Sequence, residues 1–76
     1  MNGQRKSDSK IYRKIKFTYS VYGENKIFSG DAVITVHHGS FTEEPMITLD
    51  SNYQTLDEAE AAIIRSAMRW IDDHLG

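Results

Sequence analysis

The chain has no cysteine, one proline and five glycines in 76 residues. Without cysteine there is neither a disulfide framework nor a thiolate metal site. The scattered glycines make no phosphate-cradling loop and no dinucleotide fingerprint, and the three histidines lack a zinc-binding spacing. Apolar runs are only a few residues long, too short for a helical membrane span or a signal-peptide core. A soluble, cytoplasmic protein is the expectation. With 39% apolar and 11% aromatic residues, the composition is that of a folded domain rather than a disordered chain. A chain this short forms one domain and buries about 60% of the surface its unfolded form exposes, which leaves one thin core.

The net charge of −2 conceals an asymmetry. Six of the nine basic side chains (Arg5, Lys6, Lys10, Arg13, Lys14 and Lys16) fall in the first sixteen residues, beside a single acid, Asp8. The remainder carries three basic groups and ten acids. Such an imbalance points either to a basic arm for nucleic acid or to structural elements of opposite charge. Residues 1–10 show no periodicity and read as a basic leader without regular structure, ahead of a single domain over 11–76.

From Ile11 the pattern alternates. Ile11, Ile15, Phe17, Tyr19 and Val21 lie at odd positions, which predicts a half-buried strand over 11–22. Gly23-Glu24 suits the centre of a two-residue type II′ hairpin. A second strand over 26–37 alternates in the complementary phase, with Phe28, Ala32, Ile34 and Val36 facing the core. That turn sets Tyr19 opposite Phe28, Phe17 opposite Gly30 and Ile15 opposite Ala32, with Lys16 against Asp31 on the outer face. A third strand over 46–50 follows Pro45, pairing Val36 with Ile47 and Ile34 with Leu49 and bringing Tyr53 near Gly30. Gly30 then leaves room for the rings of Phe17 and Tyr53.

Thr55-Leu56-Asp57-Glu58 is a capping box that opens a helix over 56–74. Leu56, Ala59, Ile63, Ala67, Trp70 and Ile71 form one apolar stripe, widened by Ile64 and Met68. Glu58, Arg65, Arg69 and Asp72 fall on the opposite side. At ~1.5 Å per residue the helix is ~28 Å long, enough to cross three strands. The predicted fold class is α+β, a three-stranded antiparallel meander with one C-terminal helix across one face.

Chemistry-bearing residues are sparse. His37 and His38 are neighbours at a strand end, and on an extended strand adjacent side chains point to opposite faces, so they cannot share a metal unless the strand has already ended. His74 suits the helix C-terminus, and Glu43 and Glu44 have no fixed spacing to it. Glu60, at the edge of the apolar stripe, reads as a carboxylate leaning outward. Ser40 and Thr42 have nearby imidazoles but no third group. A chain of this size has little room for a pocket of about 300 Å³ or more. No catalytic, cofactor or metal residues are assigned, and an enzyme is not expected. What remains is association. Tyr12, Lys14, Lys16, Tyr22, Ile27, Val33 and Met46 are expected on the uncovered sheet face as an interaction surface. The first strand is a lysine-bearing edge open to a homodimer or a partner strand. Arg5, Lys6 and Lys10 are the remaining candidates for nucleic-acid contacts.

The helix carries a resemblance. Thr55, Asp57, Glu58 and Ala59, followed by Ala67, Trp70, Ile71 and Asp72, resemble the helix of small bacterial single-domain proteins of unknown function. Those chains place a three-stranded meander before one helix. The resemblance implies that fold over 11–75 and a bacterial source, and it carries no activity. The element order is also similar to that of double-stranded RNA-binding domains, although the first helix of that fold is missing. Asp57, Glu58 and Glu60 here would repel phosphate. The junction Thr55, Leu56, Glu58, Ala59 resembles HicB-type antitoxins, which continue into elements this chain does not contain. The expected role is a non-enzymatic protein-interaction or regulatory domain; the alternative is an RNA- or DNA-associated domain.

Overall fold

The computed structural model describes residues 3–75. Three long strands, β1 (Gln4–Tyr12), β2 (Ile15–Glu24) and β3 (Ile27–His37), form an antiparallel meander. Two short strands, β4 (Thr42–Glu43) and β5 (Met46–Thr48), both pair with the far side of β3. A single helix, α1 (Leu56–Leu75), packs across one face of the sheet. The domain is α+β in a βββα arrangement.

The first long strand differs from expectation at its start. Residues 4–10, read as a leader, are most of β1 and pair along their whole length with β2. The cause is a two-residue turn at Arg13-Lys14, both in the left-handed region at φ 53° and 67°. This is the type I′ geometry that matches strand twist, built without the usual glycine or asparagine. Its register sets odd β1 positions opposite even β2 positions. Ile11 therefore lies opposite Lys16 on the uncovered face, 75% exposed, and not in the core. Tyr12 moves to the helix side instead, where it packs against the core.

The second hairpin also turns later than predicted. Asn25-Lys26 form the loop, at φ 53° and 62°, again type I′. Tyr19 faces Ala32, Phe17 faces Ile34 and Val21 faces Gly30. The slip is even-numbered, so every side chain keeps its face, and Phe17, Tyr19, Val21, Phe28, Ala32, Ile34 and Val36 are all buried. Lys16 lies opposite Thr35, and Asp31 opposite Ser20, so the expected Lys16–Asp31 pair is not formed. The third-strand register slips likewise. Ile47 pairs with Ala32, and Tyr53 bridges Phe28 through reciprocal backbone hydrogen bonds of 2.8 Å.

Gly30 is required by a closer neighbour than two rings. A Cβ there would lie 2.7 Å from the Ser20 carbonyl oxygen and 2.8 Å from Val21 Cγ1. The helix begins as expected: Thr55 Oγ1 accepts the Glu58 amide at 3.1 Å and donates to the Glu58 carboxylate at 3.0 Å. Ala59, Ala62, Ile63, Ala67 and Ile71 are buried against the sheet. Ala59 and Ala67 belong to the same buried cluster as Phe17 and Tyr19, while Leu56 and Trp70 are half-buried at its margins. No helix among the described residues is long and apolar enough to cross a membrane.

Candidate interaction surface

β1 is the open edge of the sheet, whereas the strand expected there, over 11–22, is not: from Ile15 its residues form β2, which is paired on both sides, with β1 and with β3. The nine residues of β1 pair with β2 on one side, and no strand among the described residues covers the other. The two-residue turn makes Tyr12–Ile15 a hydrogen-bonded pair, so even positions of β1 bond to β2. The amides and carbonyls of Arg5, Ser7, Ser9 and Ile11 therefore point outward. One of these donors is occupied from within: the Ser9 amide donates to Asp8 Oδ1 at 2.8 Å. Pairing on β3's far side is different, because β4, β5, Pro45 and Tyr53 take up its backbone groups.

Only Tyr12 among the β1 side chains is even half-buried. The strand is fastened to the helix by polar groups at its two ends. Near the N-terminal end, Lys6 Nζ donates to Glu60 at 3.0–3.1 Å. Glu60 also accepts a 2.5 Å hydrogen bond from the buried Tyr19 hydroxyl. The tyrosine hydroxyl, and then Lys6, hold the Glu60 carboxyl below the usual carboxylate range. Burial first, then the neighbouring carboxylate, pushes the Tyr19 phenol up. Glu60 is thus an ionised clamp joining β1, β2 and α1, with a side chain 17% exposed. At the other end, Tyr12 Oη donates to both Asp72 oxygens at 3.1 Å and Arg13 Nη1 donates to Asp72 at 2.8 Å.

The expected interaction surface is divided by this register. Tyr12 lies on the helix side and Lys14 in the turn, because Arg13-Lys14 reverses the chain where a continuous strand was expected. Lys16, Tyr22, Ile27, Val33 and Met46 do share the uncovered face. Val33 and Met46 are adjacent, but Ile27 sits at the far end beside Glu24. Between them the face is rich in hydroxyls. Ser7 pairs with Ser20 at 2.8 Å and Ser9 with Thr18 at 3.1 Å. Tyr22 donates to Asp31 at 3.0 Å, which raises the phenol's pKa, and the Arg5 guanidinium lies 5.4 Å from the centre of its ring.

The three residues considered for nucleic acid are not gathered. Arg5 lies over Tyr22 on the uncovered face. Lys6 and Lys10 project on the helix face, opposite Val21 and Phe17, and Lys6 is engaged by Glu60. The histidines are likewise scattered. His37 Nδ1 is 3.3 Å from Thr42 Oγ1, and His38 Nε2 is 3.0 Å from Glu43 with its ring stacked on Phe41. His74 Nδ1 donates to the Trp70 carbonyl and its ring stacks on that indole at 4.2 Å. Among the described residues no three His, Asp or Glu side chains converge as a metal site would need.

Sequence reasoning missed two small clefts on the opposite flank. One of about 210 Å³ lies between β5 and α1, lined by Ile47, Ser66, Arg69, Trp70, Asp73 and His74. The other, about 170 Å³, is lined by Tyr53, Ala62, Arg65, Ser66 and Arg69. The signal available was the Arg65–Arg69 spacing of one helical turn, read only as a solvated face.

No protein-family profile matches the chain, and no curated protein or solved structure matches it either.

Proposed function

We propose that the domain is a non-enzymatic association module that pairs with a second copy of itself through the outer edge of β1. The observation that carries this reading is the row of outward backbone groups at Arg5, Ser7, Ser9 and Ile11 on a strand of full length.

Charge selects the register. Lys6, Asp8 and Lys10 alternate in sign on the helix-side face of β1. A two-fold axis through Asp8 would oppose Asp8 to Asp8 and Lys6 to Lys10, which is repulsive. An axis through Ser9 opposes each Asp8 to the other copy's Lys10. An axis through Ser7 would instead spend Lys6, which Glu60 already holds. The Ser9 axis is therefore favoured. It asks Asp8 to release the Ser9 amide, and offers the carboxylate an ammonium in return. The two sheets then join into one, with both helices on the same side.

Sedimentation velocity across a concentration series tests this, with Ser9→Pro as the decisive variant. Proline there removes an outward N–H while leaving the β1–β2 ladder intact, because edge positions tolerate it. Wild type should show a rising mass, and Ser9→Pro and Lys10→Glu should stay monomeric while folded by circular dichroism. A wild-type monomer at about 1 mM, a concentration at which a Kd in the millimolar range would already show, would end the proposal.

A further inference from the structure

The clefts beside α1 lie across β3 from the β1 edge, so what they bind is independent of edge pairing. They share Ser66 and Arg69 as lining residues, which sets them side by side along α1. The basic one is lined by Arg65 and Arg69, one helical turn apart on the same side of α1, together with Ser66, Ala62 and Tyr53. Among the described residues neither guanidinium has a carboxylate within 4.0 Å, whereas Lys6 and Arg13 each do. The other cleft is apolar and aromatic, formed by Ile47 of β5 and the half-buried Trp70, with His74 stacked on the indole. His74 Nδ1 donates to the Trp70 carbonyl, which fixes the ring in place.

We propose that the two clefts together bind a phosphate monoester carried on an aromatic ring. The two guanidinium groups supply two positive charges and a fork of N–H donors, which matches a phosphate dianion in charge and in geometry. Ser66 is placed to add a hydroxyl donor. The ring then lies over Ile47 and the Trp70–His74 stack. At about 210 and 170 Å³ each cleft alone is below the ~300 Å³ at which small-molecule sites begin, and a ligand spanning both exceeds it. Asp73, which also lines the aromatic cleft, disfavours a second anionic group there, so the ligand carries its charge at one end.

The chain supplies its own reporter, since Trp70 is the sole tryptophan. Phenyl phosphate titrated against the full chain should change Trp70 fluorescence saturably and move the amide resonances of residues 65–70. Inorganic phosphate should bind more weakly for want of the ring, and benzoate more weakly for want of the second charge. Arg69→Gln and Arg65→Gln should each weaken phenyl phosphate by about tenfold, the usual scale for losing a charged hydrogen-bond donor. Arg69→Lys should fall between, because it keeps the charge and loses the fork. Both arginines are exposed, so the variants should melt with the wild type. The inference is overturned if phenyl phosphate gives no saturable change up to about 10 mM, a limit that covers weak fragment affinities. It is equally overturned if the double Arg→Gln variant binds as well as wild type, or if benzoate binds as tightly as phenyl phosphate.

Discussion

Replacing Glu60 by alanine tests whether the domain is held together by the clamp between its helix and its first two strands. Tyr19 is 1% exposed, and its hydroxyl donates to Glu60. Removing the acceptor leaves a buried hydroxyl without a partner, at a cost of about 1–3 kcal/mol. The lost Lys6 contact adds little, because the lysine side chain is half exposed and its charge is screened. Glu60→Ala should therefore destabilise the fold by about 2 kcal/mol, or about 8–16 °C in melting temperature for a domain this small. Urea unfolding followed by Trp70 fluorescence reads the change. The double variant Tyr19→Phe/Glu60→Ala should recover about 1 kcal/mol, since no hydroxyl is then stranded. Glu60→Gln keeps an acceptor and should cost less than alanine. Its pH dependence is diagnostic. Glu60 is held below its ordinary 4.5 in the folded state, so its contribution is complete above that value and is lost as pH falls through the folded pKa. Wild type should lose stability in that acid window while Glu60→Gln loses less, and the two curves should converge. A Glu60→Ala cost under about 0.5 kcal/mol, the level of an ordinary surface substitution, would refute the clamp. So would a double variant no more stable than Glu60→Ala alone.

Two further outcomes follow from backbone geometry. Gly30→Ala forces a methyl group against the Ser20 carbonyl and Val21, and should cost about 2–3 kcal/mol in denaturant titration. Lys26→Gly relieves a left-handed lysine in the second turn and should stabilise by about 0.5–1 kcal/mol, seen as a raised melting temperature. A neutral result at residue 30 would mean that Val21 has room to move aside.

The core was legible because side-chain parity survives even-numbered slips. Phe17, Tyr19, Val21, Ala32 and Ile34 were assigned to the correct face although every cross-strand partner was misplaced. The helix was legible too, since the Thr55 cap and the alanine–isoleucine stripe are local signals. The turns were not. Gly23 drew the hairpin forward, yet its role is to let the chain pass close to Ile27 and Phe28 beside a loop formed by Asn25-Lys26. At Arg13-Lys14 no residue type announces a positive φ, so an unbroken alternation ran through a chain reversal and hid β1. β1 was hidden a second time by its composition. An edge strand with nothing to bury has no apolar period to detect, and Gln4-Arg5-Lys6-Ser7-Asp8-Ser9 reads as coil. The arginine-lined clefts were lost for a related reason: Tyr53 and Ile47, which wall them, reach α1 only through tertiary packing.

The two polar fastenings of β1, at Lys6 and at Tyr12-Arg13, leave the rest of that strand with almost no obligation to the core. Residues 7–11 could be rewritten with little effect on whether the domain folds, and under the proposed pairing each rewriting would alter which strand the edge accepts. Under the edge pairing proposed above, folding and partner choice would be encoded in separate stretches of one short chain. The same sheet and helix could serve a set of mutually exclusive pairings, told apart by five consecutive residues.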